Sequence, residues 1–164
     1  MHLREIRIKI LCQNWNVSYP AGNTSSKYGN GKLQSMKALV RQLESHMTKV
    51  CSLRFFYSYQ IPKLGKEFDL LQIKDDQIIN IELKSGAVSE EAIRKQLMQN
   101  RYYLSVLGRS IQSYTYISSQ NRLVRLTNHD HIAEADGQRC ADHCKRRAVI
   151  IRGILTICFR PNYI

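Results

Sequence analysis

In GKEFDLLQIKDDQIINIELKSG, residues 65–86, the side chains of Asp69, Glu82 and Lys84 are of the types that together carry out phosphoryl chemistry. Two carboxylates hold a hard divalent ion, Mg²⁺ or Mn²⁺, which keeps several waters and takes further ligands from a substrate phosphate. A lysine beside them can orient or deprotonate an attacking water and offset phosphate charge. Both acids lie in apolar segments, EFDLLQI and IINIEL, that read as strands joined by a tight KDDQ turn. Side chains alternate along a strand, so Glu82 and Lys84 leave one face together while Leu83 takes the other, and Glu67 shares the face of Asp69. Symmetric pairing about a turn at residues 74–77 sets Asp69 beside Glu82. Like charges so placed are costly unless a cation lies between them or one acid is protonated. The plainer reading is a solvated hairpin face whose charges guard an edge strand. IINIELK is too apolar for a fully exposed strand, so Glu82 needs a partner.

Around this pair the sequence lays out an alternation of helices and strands. EIRIKIL reads as a short strand, and KLQSMKALVRQLESHMTKV as an amphipathic helix with Leu33, Met36, Val40, Leu43 and Met47 on one side. SLRFFYSYQI precedes the two acidic strands as a third strand. SEEAIRKQLMQNRYYLSVLG reads as a second helix, with Ser89 as N-cap and early acids suited to the helix dipole. QSYTYIS and NRLVRLT follow as two late strands. Helix, three strands, helix, two strands predicts an α/β domain with a central mixed β-sheet flanked by helices. Residues 14–31 form a loop ending in YGNGKL, where Ser26 and Leu33 stand at the glycine and hydroxyl positions of a phosphate-cradling loop, which excludes that nucleotide site. On the second helix Arg94, Lys95 and Arg101 are placed to contact phosphates, and Tyr102 or Tyr103 to stack on a base or to fill the core.

The totals bound the function classes. A chain of 164 residues, 43% apolar and 23% charged, fits one domain with a real core and excludes a disordered chain. No run of about 18 apolar residues is present to span a bilayer, and the charges inside MHLREIRIKIL are unlike a signal peptide, so a cytoplasmic protein with no membrane partner is expected. Five cysteines are odd in number and not spaced as a disulfide framework. A net charge of +12 favours a polyanionic partner, nucleic acid first.

EFDLL and ELK, with twelve residues between Asp69 and Glu82, resemble the PD-(D/E)XK nuclease superfamily, and QLMQNRYYL is similar to the Q-x-x-x-Y element of some of its branches. The resemblance covers about residues 32–128. It implies a restriction-endonuclease-like core, Mg²⁺ or Mn²⁺ held by Asp69, Glu82 and the Leu83 carbonyl, and Lys84 as the catalytic lysine. It implies further that Gln99 and Tyr103, with Gln96 as a second candidate glutamine, serve nucleic-acid binding, and that Glu44 or Glu67 supplies an additional acid. Phe68 stands where the nominal motif has proline. IPKLGKEFDLLQI, IINIELKS and KQLMQNRYYLS resemble the N-terminal nuclease-like segment of bacterial proteins that continue into a DNA/RNA helicase domain. That likeness implies a helicase or ATPase partner domain, of which the chain carries no motif. The expectation is hydrolysis of DNA. The alternative is a noncatalytic nucleic-acid-binding or regulatory domain.

Residues 137–164 differ in character from residues 1–136, carrying three of the five cysteines and six basic residues against one acid. One reading is a small zinc module from His129, His131, Cys140, His143 and Cys144, whose spacing fits no standard module. The other is a shift of reading frame near codon 136, because the alternative frame can encode a helix-like start and an acidic, turn-containing finish. On that reading the nuclease-like domain is residues 1–136, which retain +7.

Overall fold

The computed structural model describes residues 5–10, 16–18, 30–47, 51–61 and 66–145. Most of the loop read at 14–31, the helix end at 48–50, the segment at 62–65 and the tail from 146 onward lie outside the described residues.

The strands are β1 (Glu5–Ile10), β2 (Asn16–Ser18), β3 (Cys51–Gln60), β4 (Glu67–Ile73), β5 (Gln77–Lys84), β6 (Ser110–Ile117), β7 (Arg122–Leu126) and β8 (Ile132–Glu134). They form one mixed sheet in the order β2-β1-β3-β4-β5-β6-β7-β8, six longer strands with a three-residue strand at each edge. All neighbours are antiparallel except β5 and β6, which are parallel and therefore need a crossover. Helix α2 (Glu90–Ser105) supplies it, starting at Ser89, whose hydroxyl accepts the Ala92 N–H at 3.3 Å. Helices α1 (Asn30–Ser45) and α3 (Gly137–Lys145) complete an α/β fold. The expected mixed sheet flanked by helices is the architecture observed.

Two cores separate the layers. On one face Met36, Leu39, Val40 and Leu43 of α1 pack with Leu53, Phe55, Leu70, Ile79 and Ile81, and Cys140, Ala141 and Cys144 of α3 join them. Gly137 opens α3 against the His46 ring, where a Cβ would stand only 2.6 Å from Nε2, so a larger residue there requires that ring to move. On the other face α2 lays Leu104 over Leu71, Ile73 and Ile78, and Ile93 and Leu97 over Ile117 and Val124. Covered on both sides, β5 is buried along its whole length except Lys84, which is why it reads as a near-continuous apolar run.

The strand periodicity breaks at one place. Leu53, Phe55 and Tyr57 face α1, yet Phe56, Tyr59 and Ile61 face α2, so the alternation of β3 slips at Ser58, which has φ 48°. In β4 Phe68 and Leu71 both face α2 while Leu70 faces α1. The β3–β4 ladder accordingly skips from Tyr57↔Leu70 to Tyr59↔Phe68, leaving Ser58 and Asp69 as the unpaired residues of a shared kink. No helix among the described residues is long and apolar enough to cross a membrane.

Candidate active site

The turn between β4 and β5 closes with the Lys74 N–H donating to the Gln77 carbonyl at 2.8 Å, and pairing runs from Ile73↔Ile78 to Leu70↔Ile81. One step further along that register stands Asp69 opposite Glu82. The ladder stops there because β4 kinks at Asp69. Its buried carboxylate takes over the backbone's task, Oδ2 accepting the Leu83 N–H at 2.9 Å. A strand residue aims its N–H and C=O at the same edge, so the Leu83 carbonyl is directed toward the same side.

Oδ1 of Asp69 accepts from Lys32 Nζ at 2.7 Å. Glu67 shares this ammonium, its Oε1 lying 3.1 Å from Lys32 Nζ and accepting the Ser58 hydroxyl at 2.7 Å. Burial alone would raise the Glu67 carboxyl, but the hydrogen bonds from Ser58, Lys32 and Gln60 outweigh it and hold the group below its ordinary range. Burial likewise pulls the Lys32 ammonium down, and Asp69 and Glu67 reverse this and hold it above its usual value.

Glu82 faces the opposite helix. Its Oε2 accepts from Gln96 Nε2 and its Oε1 from Asn100 Nδ2, both at 2.6 Å. Those amides are four residues apart on α2 and so share one helical face. Burial pushes the Glu82 carboxyl up to about 7, and the negative charge of Asp69 is the next largest cause; the Asn100 hydrogen bond and the charges of Lys84 and Lys66 oppose them. Asp69 is thus close enough to disfavour the ionisation of Glu82, as a like charge nearby must. Lys66 lies within the same field: burial lowers its pKa, and it feels Glu82, Lys84 and Asp69 in turn. Three lysines and three acids therefore act on one another near the kink of β4.

Of the other residues singled out from sequence, Gln96 rather than Gln99 reaches the acid. Gln99 is exposed on the neighbouring flank of α2 and accepts from Lys66 Nζ at 3.4 Å. Tyr103 packs half-buried against the Leu104 cluster, edge-on to Tyr102, and Lys95 is exposed. Arg101 is engaged inside the chain, paired with Asp130 and donating toward the Thr127 carbonyl. Glu44 stands apart from Lys32, twelve residues further along α1 and about 18 Å along the helix axis from it. Glu67 does stand in the cluster.

The residues missed from sequence are Lys32, Lys66 and Asn100. Lys32 carries a signal: a lysine in the first turn of a helix opposes the macrodipole, and α1 has no acid there to compensate.

Among the described residues no group of three or more His, Cys, Asp and Glu side chains is arranged to hold a metal ion. The expected zinc set is not assembled there: His143 Nδ1 lies 2.8 Å from the Tyr114 hydroxyl, and the Cys140 thiol is held up by its hydrogen bond with Cys144 and by burial. Residues 137–145 form α3, and the acid pair lies apart from it between β4, β5 and α2. Asp69 and Glu82 could hold a different ion. Each hydrogen-bonded oxygen keeps acceptor capacity beyond its one protein donor, and an all-oxygen set of two carboxylates suits a hard cation that retains water.

Fold and site together define an α/β protein with a buried, mutually opposed acid pair at a kink of its central sheet. No protein-family model, curated protein or solved structure matches the chain.

Proposed function

We propose that the chain is a Mg²⁺-dependent nuclease-like domain that hydrolyses phosphodiester bonds of DNA, as its resemblance to the PD-(D/E)XK superfamily implies. The observation that carries this reading is that Asp69 and Glu82, both buried, stand close enough for Asp69, after burial itself, to help push the Glu82 carboxyl up to about 7, with the charge of Lys84 opposing it. Asp69, Glu82 and the Leu83 carbonyl would hold Mg²⁺ or Mn²⁺, which when bound supplies Lewis-acid polarisation of a phosphoryl oxygen. Lys84, at the rim of the buried strand, orients the attacking water and offsets charge on the phosphate. Gln96 and Asn100 fix the direction of the Glu82 carboxylate. The surplus of 25 basic over 13 acidic residues draws a polyanion toward the site.

A second reading is a noncatalytic nucleic-acid-binding or regulatory domain, joined in a longer protein to a helicase or ATPase domain. It is favoured by the protein donors that both acids already possess, which makes them ties between the sheet and its two helices. Incubating the full chain with single- and double-stranded DNA and RNA in Mg²⁺, Mn²⁺ or chelator separates the two. The nuclease reading expects product with Mg²⁺ or Mn²⁺ and none with chelator, and a Lys84→Met chain that still binds but cleaves poorly. Salt-sensitive binding with no product under any ion selects the second reading.

A further inference from the structure

Lys32 occupies a place where its helix gives it no reason to be. It lies in the first turn of α1, at the positive end of the dipole, yet its Nζ stands 2.7 Å from Asp69 Oδ1 and 3.1 Å from Glu67 Oε1. One ammonium thus bridges two carboxylates from β4. We propose that Lys32 is the built-in counter-ion of this acid cluster and that it sets the cluster's affinity for a divalent ion by competing with that ion for Asp69. The inference rests on the reading of Asp69 as a metal ligand.

Three observations make the lysine a displaceable cation and the helix a fixed one. The Lys32 side chain is 41% exposed, whereas that of Asp69 is 4% exposed, so the ammonium can turn to water while the acid stays in place. The lysine stem is flexible and carries a single charge, which suits exchange with a doubly charged ion. Helix α1 is held independently of Lys32: Met36, Leu39, Val40 and Leu43 are buried in the core. The Ser35 hydroxyl lies 2.8 Å from that of Ser118, and a Cβ on Gly31 would meet Ser85 Cβ at 3.3 Å. Releasing the ammonium does not undock the helix that carries it. In the ion-free protein the same contact keeps two adjacent carboxylates from repelling each other.

The probe is Mn²⁺ alone, titrated calorimetrically into the full chain at pH 8 and fixed ionic strength, with thermal melting to report folding of each variant. Lys32→Gln removes the competitor and is expected to bind Mn²⁺ about tenfold more tightly than wild type, the scale of one charge-assisted hydrogen bond. Lys32→Arg offers a two-pronged partner to the carboxylates and is expected to bind about tenfold more weakly. A folded Lys32→Gln chain with affinity equal to or below wild type overturns the proposal. Should that variant fail to fold, an Arg variant that binds as tightly as wild type overturns it equally. Asp69→Asn tells the two levels apart: undiminished Mn²⁺ binding there removes the metal-site reading itself and this inference with it. Loss there with unchanged Lys32 variants removes the counter-ion alone.

Discussion

On the α1 side of the sheet, Asp69 meets an ammonium and a backbone N–H; on the α2 side, its register neighbour Glu82 meets only the neutral amides of Gln96 and Asn100. Both acids are buried to within a few per cent. On the α1 side one ammonium serves two carboxylates: Glu67 is held below its ordinary range and Lys32 above its own. On the α2 side no cation among the described residues donates to Glu82, which burial and Asp69 push up to about 7. What differs is the charge of the donors, since amide hydrogen bonds orient a carboxylate without neutralising it. On one side the donors hold Glu67 ionised, and on the other burial and a like charge work against ionisation of Glu82.

That contrast fixes the sign of every pH effect. Between the ordinary carboxylate value of 4.5 and about 7 the folded chain holds a proton on Glu82 that the unfolded chain has released, so stability falls as pH rises through this window. On the other side, the Glu67 contribution is present above its unfolded value and lost as pH falls through its lowered one. The Lys32 contribution is full below its unfolded value and lost only as pH rises through its raised one. From about pH 5 to 10 the Glu67 and Lys32 contributions are therefore flat.

Three substitutions probe the difference, from the largest expected effect to the smallest, each read by urea unfolding at several pH values. Asn100→Ala strips a donor from a buried, ionised carboxylate and should cost about 3 kcal/mol at pH 8, with a smaller loss at pH 4, where Glu82 is neutral in both states. A loss independent of pH would mean that only packing was removed. Glu82→Gln should gain about 2 kcal/mol at pH 8 and nothing at pH 4, because it deletes a charge whose shift from 4.5 to about 7 corresponds to roughly 3 kcal/mol of destabilisation. A destabilised Gln variant at pH 8 would contradict the assignment. Lys32→Gln should cost about 1 kcal/mol, discounted for the half-exposed ammonium, with no trend between pH 5 and 9.

The amino-acid sequence makes part of this contrast legible. A tight KDDQ turn between two apolar runs leaves one symmetric register, and counting outward along it meets Asp69 and Glu82 together. Ser89 announces the start of α2 by its residue type and by the acids behind it. The kink is not legible, because Ser58 and Phe68 are ordinary strand residues and the slip of face follows from how β3 and β4 bend together. Nor is Asn100: the polar residues of α2 all look solvent-facing in a linear pattern, and only the angle at which the helix lies on β5 decides which of Gln96, Gln99 and Asn100 turns inward. Helix α3 hides for the opposite reason. Cys140, Ala141 and Cys144 make a stripe too short and too flanked by charge to read as a core face, yet they are buried against α1.

Cleavage by the intact chain is the most direct test of the acid pair. End-labelled DNA incubated in Mg²⁺ with wild type, Asp69→Asn and Glu82→Gln, each shown to be folded, should be cut by the first, with the rate lowered at least about a hundredfold in either variant. Cleavage at the wild-type rate by either folded variant would contradict the assignment of Asp69 and Glu82 as the centre of the site.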